Sequence, residues 1–167
     1  MQMKTPICEV CAKTGELCQN CVSGIRKGRI TQLDAKISSL LYQINEKHNI
    51  TNASFVKSVE LDGLVIIFTD TDPGLLIGRG GKVVAELTAA TGKKVRIAKY
   101  NNDIKRALED LTYPVCLLGI NRVYSQGKEI MKLRLPKNTQ NGLPIALPLL
   151  QKAAARLLNS EVSIVFE

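Results

Sequence analysis

Four of the five cysteines stand together as Cys8-x2-Cys11-x6-Cys18-x2-Cys21. No other feature limits the N-terminal segment so tightly. Two thiolates three residues apart can wrap a tight turn around one ion, and two such turns close a tetrahedral site with no open position. Residues Met1–Gly15 are polar and hold no apolar stretch of the kind a secretory signal needs. An oxidising compartment is therefore not expected, and paired C-x2-C reads as metal before disulfide. Zinc, as one structural ion, is the expected occupant; an iron site and redox or disulfide use are the alternatives. Thr14-Gly15 and Ser23-Gly24 follow the two pairs as turn signals, where glycine is expected to let backbone amides face the sulfurs. The simplest role for such a clip is to staple a terminus too short to fold alone. Cys116, inside Val115-Cys116-Leu117-Leu118, reads as a small buried hydrophobe.

The rest of the chain has enough length and apolar content for a core. Of 167 residues 45% are hydrophobic, which excludes a disordered basic tail. No run approaches the roughly 18 apolar residues of a membrane span. Lys plus Arg is 23 against 15 Asp plus Glu, a net charge of +8. That excess points to a polyanionic partner, nucleic acid first, with solubility as the plain alternative.

Periodicity divides the chain. Residues 1–29 form the four-cysteine clip and a basic linker, Gly24-Ile25-Arg26-Lys27-Gly28-Arg29. Ile30, Leu33, Ile37, Leu40, Leu41 and Ile44 then mark one face of a helix over 31–48. Strands are predicted over 54–61 and 64–69 around the turn Asp62-Gly63. Asp70-Thr71-Asp72-Pro73 caps a short helical turn. A helix follows to about Thr91, Gly92 stops it, and Lys94–Tyr100 is a basic strand. The order then restarts. Asp103 caps a helix, strands cover 115–124 and 130–135, a helix covers 144–158, and Glu161–Phe166 closes as a strand. Placing Gly142 on Gly74, an offset of 68, aligns the two halves. The reading is an α+β chain of two structural copies, residues 30–100 and 101–167.

Between the two central helices of the first copy stands Ile77-Gly78-Arg79-Gly80-Gly81-Lys82-Val83-Val84. It fails as a Walker A loop, because Leu76 replaces the first glycine and Val83 the Ser/Thr. It fails as a dinucleotide fingerprint, again at Val83. What remains is Ile-Gly-x-x-Gly at a helix–helix junction after a hairpin. Glycine there admits a sugar-phosphate backbone to close approach. The following helix offers free N–H groups and the positive end of its dipole.

In that context the segment resembles the GXXG signature of the KH domain, and the order α-β-β-α-α-β resembles its type II form. Two copies in tandem resemble the RNA-binding half of NusA-type transcription factors. The whole chain is similar to small archaeal KH proteins with an N-terminal four-cysteine finger. The resemblance implies RNA contacts at Ile77, Gly78, Arg79, Gly80, Gly81, Lys82, Val84 and Arg96, and a metal at Cys8, Cys11, Cys18 and Cys21. The second copy departs from the pattern: Ala146-Leu147-Pro148-Leu149 replaces the glycine loop, so this copy should keep the fold as packing and lose the clamp. Charge agrees with the division. Residues 71–100 carry six Lys/Arg against two acids, residues 37–70 two against four.

The function implied is single-stranded RNA binding in the cytoplasm, in transcription elongation or termination or in an RNA-processing or ribosome-associated role. A protein–protein adaptor, docking on RNA polymerase or the ribosome through the clip and the degenerate copy, is the alternative. An enzyme is not expected: His48 is the only histidine, no nucleophile–base motif is present, and closed four-thiolate sites are structural. Neither a membrane nor a small-molecule substrate is expected as a partner.

Overall fold

The computed structural model of the protein describes residues 3–100 and 104–167. It divides into two compact units, Met1–Tyr100 and Asn101–Glu167. The cap expected at Asp103 lies outside the described residues. No helix among the described residues is long and apolar enough to cross a membrane.

In the first unit two short helices, α1 (Glu9–Thr14) and α2 (Gln19–Arg26), precede α3 (Gln32–His48). Thr31 caps α3 through a capping box: its hydroxyl accepts from the Asp34 amide at 3.0 Å, and the Asp34 carboxylate accepts from the Thr31 amide at 3.0 Å. Asn49 ends the helix in the left-handed region. Then come β1 (Lys57–Leu61) and β2 (Leu64–Thr69), paired antiparallel with Leu61 opposite Leu64. The crossover consists of α4 (Pro73–Ile77), a 3-10 turn over Arg79–Gly81, and α5 (Lys82–Thr91). It returns the chain to β3 (Lys94–Lys99), which pairs parallel with β2. The sheet order is β1-β2-β3, and every residue of β2 is buried.

Alternation along the strands fixes what each face does. Val65 and Ile67 of β2 and Val95 of β3 share a core with Ile37, Leu41 and Ile44 of α3 and Val83 and Leu87 of α5. The apolar stripe read from the sequence is therefore the face α3 turns to the sheet. β1 begins at Lys57 and not at Ser54. Residues before it bond elsewhere: the Phe55 amide donates to the Lys4 carbonyl at 2.8 Å, and Lys4 bridges Ser54 in parallel. Residues 3–29 thus fold as part of the first unit. Met3 lies in the core beside Ile37, while Ile7, Cys11, Ala12 and Cys21 pack with Ala35 of α3.

The second unit has α6 (Ile104–Thr112), β4 (Gly119–Ser125), β5 (Lys128–Leu135), α7 (Leu147–Leu158) and β6 (Glu161–Phe166). β4 pairs antiparallel and β6 parallel with β5. Its hairpin turns at Gln126-Gly127, both in the left-handed region that matches strand twist. The order helix, hairpin, crossover helix, parallel strand is the same in both units. Two expectations change here. α7 starts at Leu147, because a proline at 148 is tolerated in a first turn and not inside a helix. Cys116 is exposed, since the chain between Val115 and Leu117, both 8% exposed, turns the intervening side chain outward.

Asp34, 2% exposed, does more than cap α3. Its second carboxylate oxygen accepts from the Ser58 amide at 2.8 Å and the Ser58 hydroxyl at 2.5 Å, tying α3 to β1. Asp34→Ala strands these three donors and should cost about 3–5 kcal/mol in urea unfolding. Asp34→Asn keeps the acceptor facing Ser58 but turns an amide toward the Thr31 N–H. Its expected cost is smaller, about 1–2 kcal/mol; equal losses in the two variants would show that the Ser58 contacts carry little.

Candidate nucleic-acid interface

Asp72 starts α4 by accepting from the Gly74 amide at 2.9 Å, with Pro73 in the first turn. The helix closes where the Gly78 amide donates to the Gly74 carbonyl at 3.0 Å. Gly78, Gly80 and Gly81 then take φ of +79°, +61° and +75°; Gly80 and Gly81 lie in the left-handed region, which costs other residues about 1–2 kcal/mol each, and Gly78, at ψ 170°, lies in one that is nearly restricted to glycine. The three glycines do different work. A Cβ on Gly78 would stand 2.6 Å from Val83 Cγ2 and 2.9 Å from the Val83 amide nitrogen. Gly78 is therefore required by packing. A Cβ on Gly80 would meet nothing within 4 Å, and one on Gly81 only Val84 at 3.7 Å. Here the backbone stands in open space, available to another chain.

Gly81 is also the N-cap of α5 and supplies no side-chain acceptor. The first amides of α5 thus lack a side-chain cap at the loop, where the helix dipole is positive. Arg79 and Lys82 flank the opening, both exposed, and neither has an ion-pair partner among the described residues. Ile77 is 38% exposed beside the loop, and Val84, half-buried, packs on the core one turn into α5. The structure therefore brings Ile77, Gly78, Arg79, Gly80, Gly81, Lys82 and Val84 into one short stretch.

Arg96 does not join them. It pairs with Ile66 on the sheet face opposite the one that carries Val95 and the helices. Ile97 takes the helix-facing position instead and packs half-buried on the core. The alternation Val95-Arg96-Ile97 was the signal that separates the two, since apolar residues at 95 and 97 send 96 the other way.

The four N-terminal sulfurs lie within 4.8 Å of one another. Cys8 and Cys18 are the N-caps of α1 and α2, and Cys11 and Cys21 stand one helical turn later. The arrangement is reciprocal: the Cys18 amide donates to Cys11 Sγ at 3.0 Å, and the Cys8 amide to Cys21 Sγ at 3.4 Å. The amides that face the sulfurs therefore belong to the cysteines themselves and not to the expected glycines. Gly15 ends α1, and Gly24 lies inside α2 against Ile30. A tetrahedral thiolate site with metal–sulfur bonds of about 2.3 Å needs sulfurs about 3.8 Å apart. Cys8 Sγ lies 3.3 Å from Cys11 Sγ and 3.9 Å from Cys18 Sγ, and all the cysteines are free thiols. The donor set fits a metal ion. Burial pushes the Cys11 thiol up to about 12, whereas the Cys21 amide brings Cys18 down to about 6.

Against this geometry, residues 42–117 match the family model of the KH domain. Over these residues the chain is similar to a KH domain. The match opens inside α3, spans β1 to β3 with the glycine loop, and ends beyond Tyr100. A KH domain is a nucleic-acid-binding module that holds the backbone at its GXXG loop. Among solved structures the chain is similar to the crystal structure of APE1850. The TM-score is 0.55 at 22% identity, covering 76% of this chain and 96% of that chain. At that identity the likeness concerns the fold alone. A comparison with curated protein sequences gives no match.

The unequal glycines can be measured. Gly78→Ala should lose about 2–4 kcal/mol of stability through the collision with Val83 and the positive φ. Gly80→Ala should lose only about 1 kcal/mol. Thermal melts that rank them in the reverse order would contradict this division of roles.

Proposed function

We propose that the protein is a non-enzymatic, cytoplasmic binder of single-stranded RNA, clamping about four nucleotides at the KH loop. The observation that carries this reading is the open backbone at Gly80 and Gly81, flanked by Arg79 and Lys82, which meet no acid among the described residues, at the start of α5, which has no side-chain cap. Phosphate oxygens would sit on the α5 amides and between the two cations. Ile77 and Val84 would form the apolar wall for bases. Arg96, on the other sheet face, is left out of the clamp.

We read the second unit as a degenerate KH copy, so that the chain is a NusA-like tandem serving transcription elongation or termination, or a related ribosome-associated role. What supports this is the shared strand order and register direction in the two sheets. Where the first unit has its glycine loop, the second simply begins α7 at Leu147-Pro148. The clamp is absent there, but the site has not become packing as the apolar sequence suggested. Leu147 is 37% exposed and Pro148 is exposed, while Ile145 and Leu150 are buried.

Replacing Arg79 and Gly80 by Asp puts two negative charges against phosphate. RNA affinity should fall tenfold or more, since one charge-assisted contact is worth roughly 1.5–3 kcal/mol. Stability should change by at most about 1–2 kcal/mol. Leu147→Asp with Pro148→Asp should leave both the fold and RNA binding near their starting values, because the positions are exposed. Unchanged RNA titration in the first variant would sink the clamp; lost binding in a folded second variant would make the second unit a working site.

The cysteine cluster we assign to one structural zinc ion, the usual occupant of four thiolates with no open position. When bound, zinc supplies a cross-link between α1 and α2 and no chemistry. Because Met3 and Ile7 pack against the core that α3 shares, Cys18→Ser should release the metal and also lower the melting temperature of the first unit. Binding needs thiolates, and burial keeps Cys11 protonated at neutral pH, so metal uptake should release protons and weaken as pH falls. Elemental analysis finding no zinc, or zinc affinity that is flat with pH, would contradict the assignment.

A further inference from the structure

The linker between the clip and α3 carries three cations in four residues, Arg26, Lys27 and Arg29. All three are exposed. Elsewhere in the chain several cations are met by carboxylates: Lys13 by Glu9, Lys93 by Glu60, Arg122 by Glu129 and Arg134 by Glu167. Among the described residues no acid meets Arg26, Lys27 or Arg29. The C-terminal end of α2, where the helix dipole is negative, accounts for Arg26 and Lys27 but not for Arg29, which lies beyond it. Gly28 separates them at φ +79°, with nothing within 4 Å of where its Cβ would be. The loop thus pairs free positive charge with open backbone, as the KH loop does at Arg79-Gly80-Gly81-Lys82.

The two loops lie at opposite ends of the first unit. α3 and α5 run antiparallel: Gln32 and Leu33 line one shallow cleft with Thr91, and His48 meets Glu86 at 3.2 Å. The start of α5, with its glycine loop, therefore lies toward the C-terminal end of α3, and the linker joins its N-terminal end. The length of α3, 17 residues or about 25 Å, lies between them.

We propose that Arg26, Lys27 and Arg29 form a second phosphate-binding contact for the same RNA strand that the KH loop clamps. The proposal rests on the RNA-binding reading given above. A stacked strand rises about 3.4 Å per nucleotide, so about seven nucleotides cross the intervening distance. The protein then holds a footprint of about eleven nucleotides, four in the clamp and the rest reaching the linker.

The test compares single-stranded RNAs of about 5 and about 15 nucleotides on the full chain, across a salt series. In Arg26→Gln/Lys27→Gln/Arg29→Gln, affinity for the long RNA should fall about tenfold or more, and its log–log salt slope should lose about 2. Affinity for the short RNA should not change. The charge-keeping variant Arg26→Lys/Arg29→Lys should bind both RNAs as the parent does, which separates charge from any effect on folding. If the long RNA binds the Gln variant as tightly as the parent, the second contact does not exist. If short and long RNAs lose affinity together, the linker belongs to the clamp or supports its fold, and the proposal is again overturned. Failure of the RNA-binding reading looks different: the parent protein itself binds neither RNA, or binds both regardless of Arg79 and Gly80.

Discussion

The parallel pairing of β2 with β3 governs the first unit. An antiparallel neighbour can follow a strand through a two-residue turn, as β2 follows β1, but a parallel neighbour requires the chain to cross back over the sheet. That crossing must be helical to satisfy its own backbone and to cover the apolar face of β2, which is buried along its whole length. Here it is made by α4 and α5, whose Leu76, Val83 and Leu87 close the core over Val65 and Ile67. The bend between the two helices is where the glycines stand, and so the site lies at the corner of this two-helix crossover.

α3 is the second support of that arrangement. It is fixed to the sheet at its first turn by Asp34 and Ser58, and to α5 near its last turn by His48, which reaches Glu86. Its outer side carries the N-terminal segment: the Tyr42 hydroxyl donates to the Met3 carbonyl at 3.1 Å, and Ala35 packs with Cys11 and Cys21. A metal held by the four thiols would therefore brace the same helix that braces the clamp.

Much of this was legible in the residues. The stripe Ile37, Leu41, Ile44 named the buried face of α3, the Asp72-Pro73 cap and the Gly92 stop bounded the crossover, and the spacing of Cys8, Cys11, Cys18 and Cys21 placed four sulfurs together. What stayed hidden depends on contacts between distant segments. Ser54 reads as part of a strand, yet its neighbour Phe55 bonds to Lys4, near the start of the chain. Asp34 reads as an ordinary cap, and its bond to Ser58 leaves no local trace. Cys116 and Leu147 read as buried because their neighbours are apolar, but apolar neighbours do not decide which way one side chain points. Arg96 was different, since the alternation around it already pointed away from the loop.

The second unit shows which features of the first belong to the fold and which do not. It too places a third strand parallel to the second of a hairpin, Ile130 to Leu135 beside Glu161 to Phe166. It crosses over with one helix, α7, opened by a proline and no glycine loop. The same sheet connection can thus be made without a backbone held at three positive φ angles. Of the three loop glycines only Gly78 is demanded by packing, through Val83. A side chain at Gly80 would meet nothing inside the molecule and one at Gly81 only Val84, so packing does not demand glycine at either position. Glycine kept where the protein's own packing does not demand it leaves the backbone open to what approaches from outside. On the RNA-binding reading proposed above, Arg79 and Lys82 beside it would meet phosphate, and the missing Cβ atoms would let a sugar-phosphate backbone come close.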